Sequence, residues 1–452
     1  MKKRMVVALM AMGVFNVVRA GGLLTNSNQS ASFLRNPARE AVIDVDALYT
    51  NPAGVAFMDK GWHFGLTGFN AHQQRDVVTT FPLFAANMEH SGETSRRFYG
   101  DALAPVAPCF QAAYVSDKWA VGLNYAFGSG GGKCEYNEGI GSIESAYSAL
   151  LYQKIAPLLS PDDKFGYSMD AYMKGGVYHY CVSLGGAYKL TETLSAGGGL
   201  RAVIVRNNYV GHVNNIALYQ NGAKNDMMSA MTKAYDISLD NHQKGLGWTP
   251  YLGLDWKPNE HWNFAAKYEF KTRLRLENSS EITAPDAASA VLAQFDEKQN
   301  KSIADDVPAI LTFGAMYSPI EKVRVSAGWH YYFDKQATKF NHNEKNIDKG
   351  SMEFTGGAEW DCLKWLTVSA GWQCTRYRLK DAYLSDMNYN CSSNLFGFGA
   401  RFHVTDFCSI DLSYMKNFYH RRDVVSQVGP LSKTDHYVRD NYTFGLGVNF
   451  DF

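Results

Sequence analysis

The chain has no long hydrophobic run after its first 20 residues. A membrane-spanning helix needs about 20 consecutive, predominantly apolar residues, and no later segment approaches that length. The chain also has no net charge, because 44 acidic residues balance 44 basic ones, and so no basic excess indicates a nucleic-acid partner. A helical membrane protein and a nucleic-acid-binding protein are therefore both disfavoured.

Cysteine and proline are scarce, at 7 and 13 of the 452 residues. The odd set of cysteines contains no CxxC pair, and no cluster of His, Cys and Asp has the spacing of metal ligands. Cys374 and Cys408 fall on the apolar faces of predicted strands, where a thiol behaves as a small hydrophobe. The sequence therefore predicts no metal site and no cofactor, and it supports no particular disulfide.

Residues 1–20 have the features of a secretory signal peptide. Three basic residues, Lys2 to Arg4, precede a mostly apolar stretch, and Ala20 completes an acceptable small-residue cleavage site. Cleavage would remove four basic residues and no acidic one, which leaves a slightly acidic mature chain. The sequence therefore predicts export.

Alternation of apolar and polar residues dominates the rest of the chain. In Tyr442–Phe452 the even positions are all aromatic or aliphatic, and the odd positions are Thr, Gly, Gly, Asn and Asp. A period of two is typical of a strand with one apolar and one polar face. Fourteen strands of this character are predicted, at residues 61–71, 107–115, 118–128, 175–189, 192–210, 247–257, 260–275, 308–318, 321–335, 350–361, 364–378, 392–404, 406–419 and 437–452.

The connections between these strands alternate between long and short along the whole chain. Six short turns and seven long loops are what fourteen antiparallel strands require when both termini lie on one side. A soluble β-sandwich or propeller gives no reason for that alternation. The sequence therefore predicts an all-β fold, a 14-stranded antiparallel transmembrane β-barrel formed by residues 58–452. We expect a monomer in the lipid of a Gram-negative outer membrane, with both termini periplasmic.

Residues 21–57 precede the first strand and show little repeating pattern. An Asn-Pro-Ala sequence begins at Asn36 and another at Asn51, and both have turn chemistry. The segment is either a disordered leader or an N-terminal plug (hatch) folded inside the lumen. Four of its charged residues bear on that choice: Arg35, Arg39, Asp44 and Asp46. Buried charges need partners, and lumen charges such as Arg401 and Asp411 would supply them, which favours the plug.

Three of the long loops contain helix-like patterns. Apolar residues recur near a 3.6-residue period in 142–159, three methionines cluster in 223–234, and an apolar run lies in 286–295. These helices would either form an apolar landing site, to which methionine adapts well, or pack on each other and cap the barrel. The candidate ligand-capture residues are Tyr147, Leu150, Leu151, Met227, Met228, Met231, Leu292 and Phe295.

A glycine-rich run ends the third predicted strand. It lacks the spacing and the trailing Ser or Thr of a phosphate-binding loop. Glycine permits kinks and weakens strand pairing, so the run predicts either an opening in the barrel wall or an ordinary flexible loop base. The candidate wall-opening residues are Gly128, Gly130, Gly131 and Gly132.

Combinations of residues that would indicate catalysis are weak. A hydrolase needs a base within reach of its nucleophile, but Ser326 and His330 lie four residues apart on one strand face. His403 and Asp411 fall on the polar faces of neighbouring strands, where such residues hydrate and tune a pore. The sequence therefore predicts no enzyme.

With this layout, the chain resembles the FadL family of outer-membrane transporters of long-chain fatty acids and other hydrophobic compounds. The sharpest similarity is Asn51–Gly54, directly before the first strand, where that family has its N-terminal hatch. The hairpins at Pro108–Gly128 and Val177–Val210 and the number of strands are also similar. The additional Asn-Pro-Ala sequence at Asn36 is a departure from the family pattern.

The resemblance implies a hatch that gates the lumen through Asn51, Pro52, Ala53 and Gly54. It also implies ligand capture on loop helices, an internal apolar pocket, and lateral exit through a kink in the third strand. The implied function is passive transport of hydrophobic small molecules, with long-chain fatty acids as the first expectation.

Two alternative functions stay open. The barrel would serve as an anchor or shuttle for exported proteins, which predicts protein partners at its loops, or as a general porin, which predicts an open lumen. For each function, we expect the barrel-assembly machinery to recognise the last strand, which ends at Phe452.

Overall fold

The structure, a computed structural model, describes residues 30–90, 92–283 and 302–452. The predicted signal peptide and the capture residues Leu292 and Phe295 lie outside this part of the chain. Within the described residues, backbone pairing forms one closed antiparallel barrel.

Fourteen long strands form the barrel wall. Their bounds are β1 Gly61–Thr80, β2 Ser95–Val115, β3 Trp119–Tyr136, β4 Phe165–Lys189, β5 Leu194–Gln220, β6 Ile237–Trp256, β7 Trp262–Glu269, β8 Ile310–Ile320, β9 Val323–Tyr332, β10 Ile347–Leu363, β11 Leu366–Leu379, β12 Ser393–Thr405, β13 Cys408–Tyr419 and β14 Leu431–Asp451. Each pairs with its neighbours along the chain, and β14 pairs with β1 to close the ring. The predicted 14-stranded barrel is confirmed.

Short turns join the strands at one end of the barrel and long loops join them at the other, termed here the short-turn end and the long-loop end. The helices are α1 Ala31–Arg35, α2 Ala47–Thr50, α3 Gly141–Ile155 and α4 Asp226–Thr232. The 3₁₀ turns are Pro52–Phe57, Pro82–Ala86, Ala156–Leu158, Lys233–Tyr235, Asp334–Gln336, Phe340–Asn346 and Asp381–Tyr383. Short additional strands are Ala223–Lys224, Arg275–Thr283, Ser302–Ala304 and Arg422–Val428.

Several strands extend further toward the long-loop end than the sequence predicted. A membrane-spanning strand needs about 9–11 residues, whereas β5 has 27 and β4 has 25. The alternation weakens in these extensions because polar residues occupy both strand faces, as in 206–208. For the same reason β2 begins at Ser95 and not at residue 107. The seventh strand is shorter than predicted, because it ends at Glu269 and not at residue 275.

Large apolar side chains cover the outer face of the wall. Leu184, Leu252 and Trp256, for example, expose 61%, 60% and 50% of their surface. A continuous apolar exterior of this kind is typical of a barrel that lipid surrounds. In the ranges that the structure describes, no helix is both long enough and apolar enough to cross a membrane.

The inner face of the wall is polar and contacts the N-terminal segment, residues 30–57. Helix α1 packs on β12, β13 and β14, whereas the 3₁₀ turn Pro52–Phe57 packs on β4, β5 and β6. These two groups of strands stand on opposite sides of the barrel. The segment therefore crosses the lumen from one wall to the other.

Candidate functional site

The wall is interrupted between β2 and β3. Their pairing omits residues 104–109 of β2 and residues 126–132 of β3, and it resumes at Leu103 and Lys133. At the same level, β3 also shifts its register twice against β4. We term this interruption the seam. It contains all four glycines of the predicted wall opening: Gly128, Gly130, Gly131 and Gly132.

Backbone chemistry accounts for the seam. On β2, Pro105 and Pro108 have no N–H to donate to a neighbouring strand. On β3, Gly130 has a φ of 74°, which favours glycine because a side chain is strained there. A Cβ on Gly130 would also lie 1.9 Å from the Val177 carbonyl oxygen. Two prolines on one strand thus oppose a glycine run on the other.

Apolar side chains of helix α1 share a buried cluster with residues of the seam. Phe33 and Leu34 are buried and pack in one cluster with Ala107 of β2 and Phe127 of β3. The Phe127 ring also contacts that of Tyr180, with centroids 5.1 Å apart. The members of this seam cluster are Phe33, Leu34, Phe69, Ala107, Phe127, Leu395 and Met415.

Two further apolar clusters lead from the seam to the long-loop end. The middle cluster consists of Cys134, Tyr136, Ile140, Met173, Tyr209 and Met387. Val177 packs against the middle cluster, and the adjacent Tyr178 packs against the seam cluster. Ile143 of α3 packs against both the middle cluster and a larger cluster, which we term the loop cluster. The members of the loop cluster are Tyr147, Leu151, Ile155, Tyr167, Met169, Val213, Ile216, Leu218, Met228 and Ile237. Apolar side chains therefore form a nearly continuous column from α3 to the seam.

The loop cluster surrounds α3 and α4, where the sequence placed its capture residues. Three of them are buried in it: Tyr147, Leu151 and Met228. Leu150 is half-buried, whereas Met227 and Met231 expose 77% and 54% of their surface. Packing against neighbouring loops thus accounts for the first three, and the two exposed methionines retain the character of a capture surface.

Buried polar contacts hold α3 on the wall. Glu144 pairs with Arg96 and accepts a hydrogen bond of 3.0 Å from the Tyr167 hydroxyl. The Tyr147 hydroxyl donates to the Tyr235 carbonyl oxygen at 3.1 Å. Burial raises the pKa of Tyr147 above its ordinary value, so this hydroxyl keeps its proton and remains a donor.

The Asn-Pro-Ala sequence before the first strand docks on β5 and β6, away from the seam. Asn51 Nδ2 donates to the Leu254 carbonyl oxygen and to an Asp255 carboxylate oxygen, each at 3.0 Å. Ser195 Oγ donates to the Ala53 carbonyl oxygen at 2.7 Å. The rest of the predicted gating motif is buried in the 3₁₀ turn that follows: Pro52, Ala53 and Gly54.

Both Asn-Pro-Ala sequences of the segment contact glycine in the wall. A Cβ on Gly253 of β6 would lie 2.1 Å from Asn51 Oδ1. A Cβ on Gly357 of β10 would lie 1.9 Å from Asn36 Oδ1. Each asparagine therefore occupies space that any larger wall residue would fill, and the segment is held at two separated points.

The charges of the segment pair with charges of the lumen, as the sequence predicted. Arg401 Nη2 lies 3.0 Å from an Asp44 carboxylate oxygen. Arg39, which is 1% exposed, lies 2.7 Å from Asp46 and 3.3 Å from Glu359. Removing one partner of a buried ion pair costs about 3–5 kcal/mol, so these contacts hold the segment firmly in the lumen.

A cavity of about 60 Å³ lies between the segment and the wall. Many of its lining side chains are polar, among them Glu40, Lys267, Glu269, His330, Glu353 and Gln373. One water needs roughly 10–15 Å³ of such space, so the cavity holds a few waters. In this conformation the cavity therefore suits water and not an apolar chain.

The residues weighed for catalysis belong to the ion-pair network of the lumen. A ring nitrogen of His330 lies 2.7 Å from a Glu40 carboxylate oxygen. Asp411 lies 2.9 Å from Arg401 Nε, and His403 Nε2 lies 3.1 Å from Thr367 Oγ1. Their contacts are those of groups that balance charge around the N-terminal segment.

The sequence analysis did not identify the β2 side of the seam or the α1 residues that pack on its inner side. Pro105 and Pro108 were a usable signal, because proline within a strand marks an edge or a bulge, but the predicted strand began at residue 107. Phe33 and Leu34 gave no such signal. Their contact with the seam arises only when the segment folds back across the lumen.

Solved structures share this fold. The chain aligns with a FadL homologue of Pseudomonas aeruginosa at a TM-score of 0.66 and 12% identity, over 95% of this chain and 100% of that one. The toluene transporter TbuX of Ralstonia pickettii aligns at a TM-score of 0.56 and 15% identity, over 94% and 98% of the two chains. The P. putida toluene transporter TodX aligns at 0.56 and 14%, over 90% and 94%.

No family model and no curated protein matches the sequence. At the identities above, the structural similarity establishes the fold. That fold is the one that the resemblance to the FadL family implied.

Proposed function

We propose that this barrel, which has the fold of a FadL homologue and of two toluene transporters, passes hydrophobic small molecules across an outer membrane. Its apolar outer face suits lipid and its apolar column suits such molecules. The long loops would face outward and both termini the periplasm, as in other barrels with short periplasmic turns. The barrel acts as a transporter and performs no chemistry.

The observation that carries this proposal is the seam at the end of the apolar column. Each methylene that a ligand exposes to water costs roughly 0.8 kcal/mol, so a hydrophobic molecule follows apolar side chains and avoids the polar lumen. The seam is a place where it can leave sideways into lipid, because the two strands share no backbone pairs there. Transport along this route is passive and follows the concentration gradient.

The N-terminal segment acts as the hatch in this proposal. Asn51, Pro52, Ala53 and Gly54 keep it docked on β5 and β6 while its other end covers the seam. Arrival of a ligand displaces α1 from the seam cluster and uncovers the gap. Phe33 and Leu34 contribute only apolar contacts to the seam cluster, and an apolar ligand can replace those contacts at little cost in free energy. The buried ion pairs of Arg35 with Glu359 and Asp411 must rearrange when α1 moves.

We propose long-chain fatty acids as the first substrate to test, and toluene as the second, because toluene is named for two structures of the same fold. Exposed methionines at the long-loop end would capture either, since flexible thioether side chains adapt to different shapes. The cavity of about 60 Å³ beside the segment is smaller than either ligand, so passage requires the segment to move.

Uptake by living cells tests the proposal. Cells with and without the gene receive a labelled long-chain fatty acid, labelled toluene or a small polar dye. We expect the gene to increase uptake of at least one apolar compound and to leave dye uptake unchanged. Equal gains for all three would indicate a porin. No gain for any would turn attention to a barrel that anchors or shuttles exported proteins.

The last strand carries a separate prediction about assembly. Phe452 exposes 64% of its surface, and its backbone exchanges hydrogen bonds of 2.8 and 2.9 Å with Trp62. We propose that the barrel-assembly machinery recognises this strand and that the barrel then remains a monomer in outer-membrane lipid. Replacing Phe452 by Ser should lower the amount of folded barrel in the membrane fraction, and unchanged amounts would refute the recognition.

A further inference from the structure

The outer face of the wall carries a basic depression next to the seam. It has a volume of about 630 Å³, and its lining includes Lys133 of β3, Tyr178 of β4, Arg206 and Asn208 of β5 and Lys244 of β6. We term it the basic notch. Neither ligand capture nor the hatch uses its charged side chains.

A glycine lies in the strand register between two side chains of the basic notch. The strand register places Lys133, Gly176 and Asn208 in one row across β3, β4 and β5. A Cβ on Gly176 would lie 2.6 Å from Asn208 Oδ1 and 3.2 Å from Lys133 Cγ. The two flanking side chains therefore extend over bare backbone and approach each other above Gly176.

The charge of the basic notch is positive and incompletely balanced. In the part of the chain that the structure describes, neither Lys133 nor Arg206 forms an ion pair with a carboxylate. Lys244 lies 3.0 Å from Glu277, and both are largely exposed. Three cations thus face one anion, and an exposed pair of this kind contributes only about 0–1 kcal/mol. The notch would attract a further anion.

The basic notch lies where the apolar outer face ends. On β6, Trp248 and Leu246 expose 53% and 54% of their surface, and the next outward residue toward the loops is Lys244. Arg206 pairs with Lys244 at the same level on β5, and Tyr178 lies beside it on β4. Tyrosine is enriched at membrane interfaces, where cations meet anionic headgroups.

We propose that the basic notch binds a phosphate group of an outer-leaflet lipid, held by Lys133, Arg206 and Asn208 over Gly176. Lysine and arginine both form strong charge-assisted hydrogen bonds with phosphate. The acyl chains of that lipid would lie on the apolar outer face and border the seam from outside. The inference rests on the proposed outer-membrane location, but it does not depend on which molecule the barrel transports.

Native mass spectrometry of the purified full-length protein tests this site, with bis-phosphorylated lipid A, its phosphate-free analogue and inorganic phosphate as separate probes. We expect Lys133→Gln/Arg206→Gln to weaken lipid A binding at least about tenfold, equivalent to about 1.4 kcal/mol. Gly176→Leu displaces the Lys133 and Asn208 side chains without changing the charge of the notch, and it should also weaken lipid A binding. The matched control, Lys322→Gln/Lys364→Gln, removes two exposed cations at the short-turn end and should bind like the wild type.

Three outcomes overturn the proposal: unchanged binding by the Lys133→Gln/Arg206→Gln variant, equal binding of the phosphate-free analogue, or inorganic phosphate binding as tightly as the lipid. The last outcome would assign the site to a free anion. Heat-dependent migration in gels confirms that each variant is a folded barrel, and if Gly176→Leu does not fold, the double variant decides. The uptake assay tests the proposed transport independently, so the two failures are distinguishable.

Discussion

The β2–β3 and β4–β5 strand pairs stand side by side in one wall but differ in their backbones. β4 and β5 pair along their whole common length with a single register shift, whereas β2 and β3 leave residues 104–109 and 126–132 unpaired. Both outer faces expose large apolar side chains, such as Val106 at 74% and Leu184 at 61%. The interrupted pairing therefore depends on proline and glycine in the backbone, and the side chains that meet lipid do not reveal it.

A disulfide across the seam should have the largest effect, because it would hold β2 and β3 together as backbone pairing holds β4 and β5. A Cβ on Gly132 would lie 3.8 Å from the Ala104 backbone nitrogen, so the two backbones approach closely here, and Ala104→Cys/Gly132→Cys places one thiol on each side of the seam for a disulfide. We expect apolar uptake to fall to the level of cells without the gene under oxidising conditions, and to recover with dithiothreitol, because the locked strands cannot separate.

The matched control for the lock is Ala358→Cys/Ala370→Cys. These residues oppose each other in the ladder between β10 and β11, where the wall has no comparable gap. This disulfide should leave uptake unchanged. Full uptake through a locked seam would show that ligand leaves by another route.

Loosening the proposed hatch should produce the next largest effect, because its Phe33 and Leu34 belong to the seam cluster. Arg39→Ala leaves Asp46 buried without its ion-pair partner, at a cost of about 3–5 kcal/mol, and it removes one of the three arginines that surround Glu359. We expect the segment to detach and the conductance of the purified barrel in planar bilayers to rise.

Arg97→Ala is the comparison for the hatch variant. Arg97 is 64% exposed and lies 2.6 Å from Asp76, and exposed pairs contribute only about 0–1 kcal/mol. The conductance of the Arg97→Ala barrel should equal that of the wild type. If Arg39→Ala also leaves conductance unchanged, the ion pairs do not hold the hatch closed.

Restoring backbone donors should narrow the seam more gently. Pro105→Ala/Pro108→Ala gives β2 two new N–H groups, and a net hydrogen bond contributes about 1 kcal/mol, equivalent to about a fivefold change in an equilibrium. We expect slower amide exchange at Ala107 and Phe127 and lower apolar uptake. Pro250→Ala, in the paired part of β6, should change neither. Faster exchange in the double variant would argue that the prolines stabilise the wall.

Changing the proposed capture surface should have the smallest effect, because the proposed route reaches it before the seam. Met227→Ser/Met231→Ser removes exposed apolar surface at the long-loop end. We expect the half-saturating ligand concentration for uptake to rise with no change in the maximal rate. Leu190→Ser/Leu363→Ser removes similar surface at the short-turn end and should leave both constants unchanged. A fall in the maximal rate alone would place the methionines in a later step.

The sequence predicted the parts of the fold that depend on local periodicity. Strands such as Trp119–Tyr136 alternate over their apolar band, and that alternation comes directly from contact with lipid on one side and the lumen on the other. The glycine run of β3 was also predictable, because the local composition alone shows it. The pairing of Arg401 with Asp44 was predictable because buried charges need partners.

The remaining features depend on contacts between distant parts of the chain. Leu34 and Phe127 belong to one cluster only because the segment crosses the lumen, and no local pattern encodes that path. Tyr147 and Met228 looked like a surface for ligand, but they form a loop cluster because three loops converge above the barrel. Helical periodicity shows that one face is apolar, and it does not show what covers that face.

The most direct test of the seam as the exit is the position at which a photoreactive ligand labels the barrel. A long-chain fatty acid with a terminal diazirine is bound to the purified protein in lipid discs and irradiated, and the labelled peptides are identified by mass spectrometry. We predict labels at Leu34, Ala107 and Phe127. Labels confined to the polar cavity around Lys267 and Glu269 would contradict lateral exit through the seam.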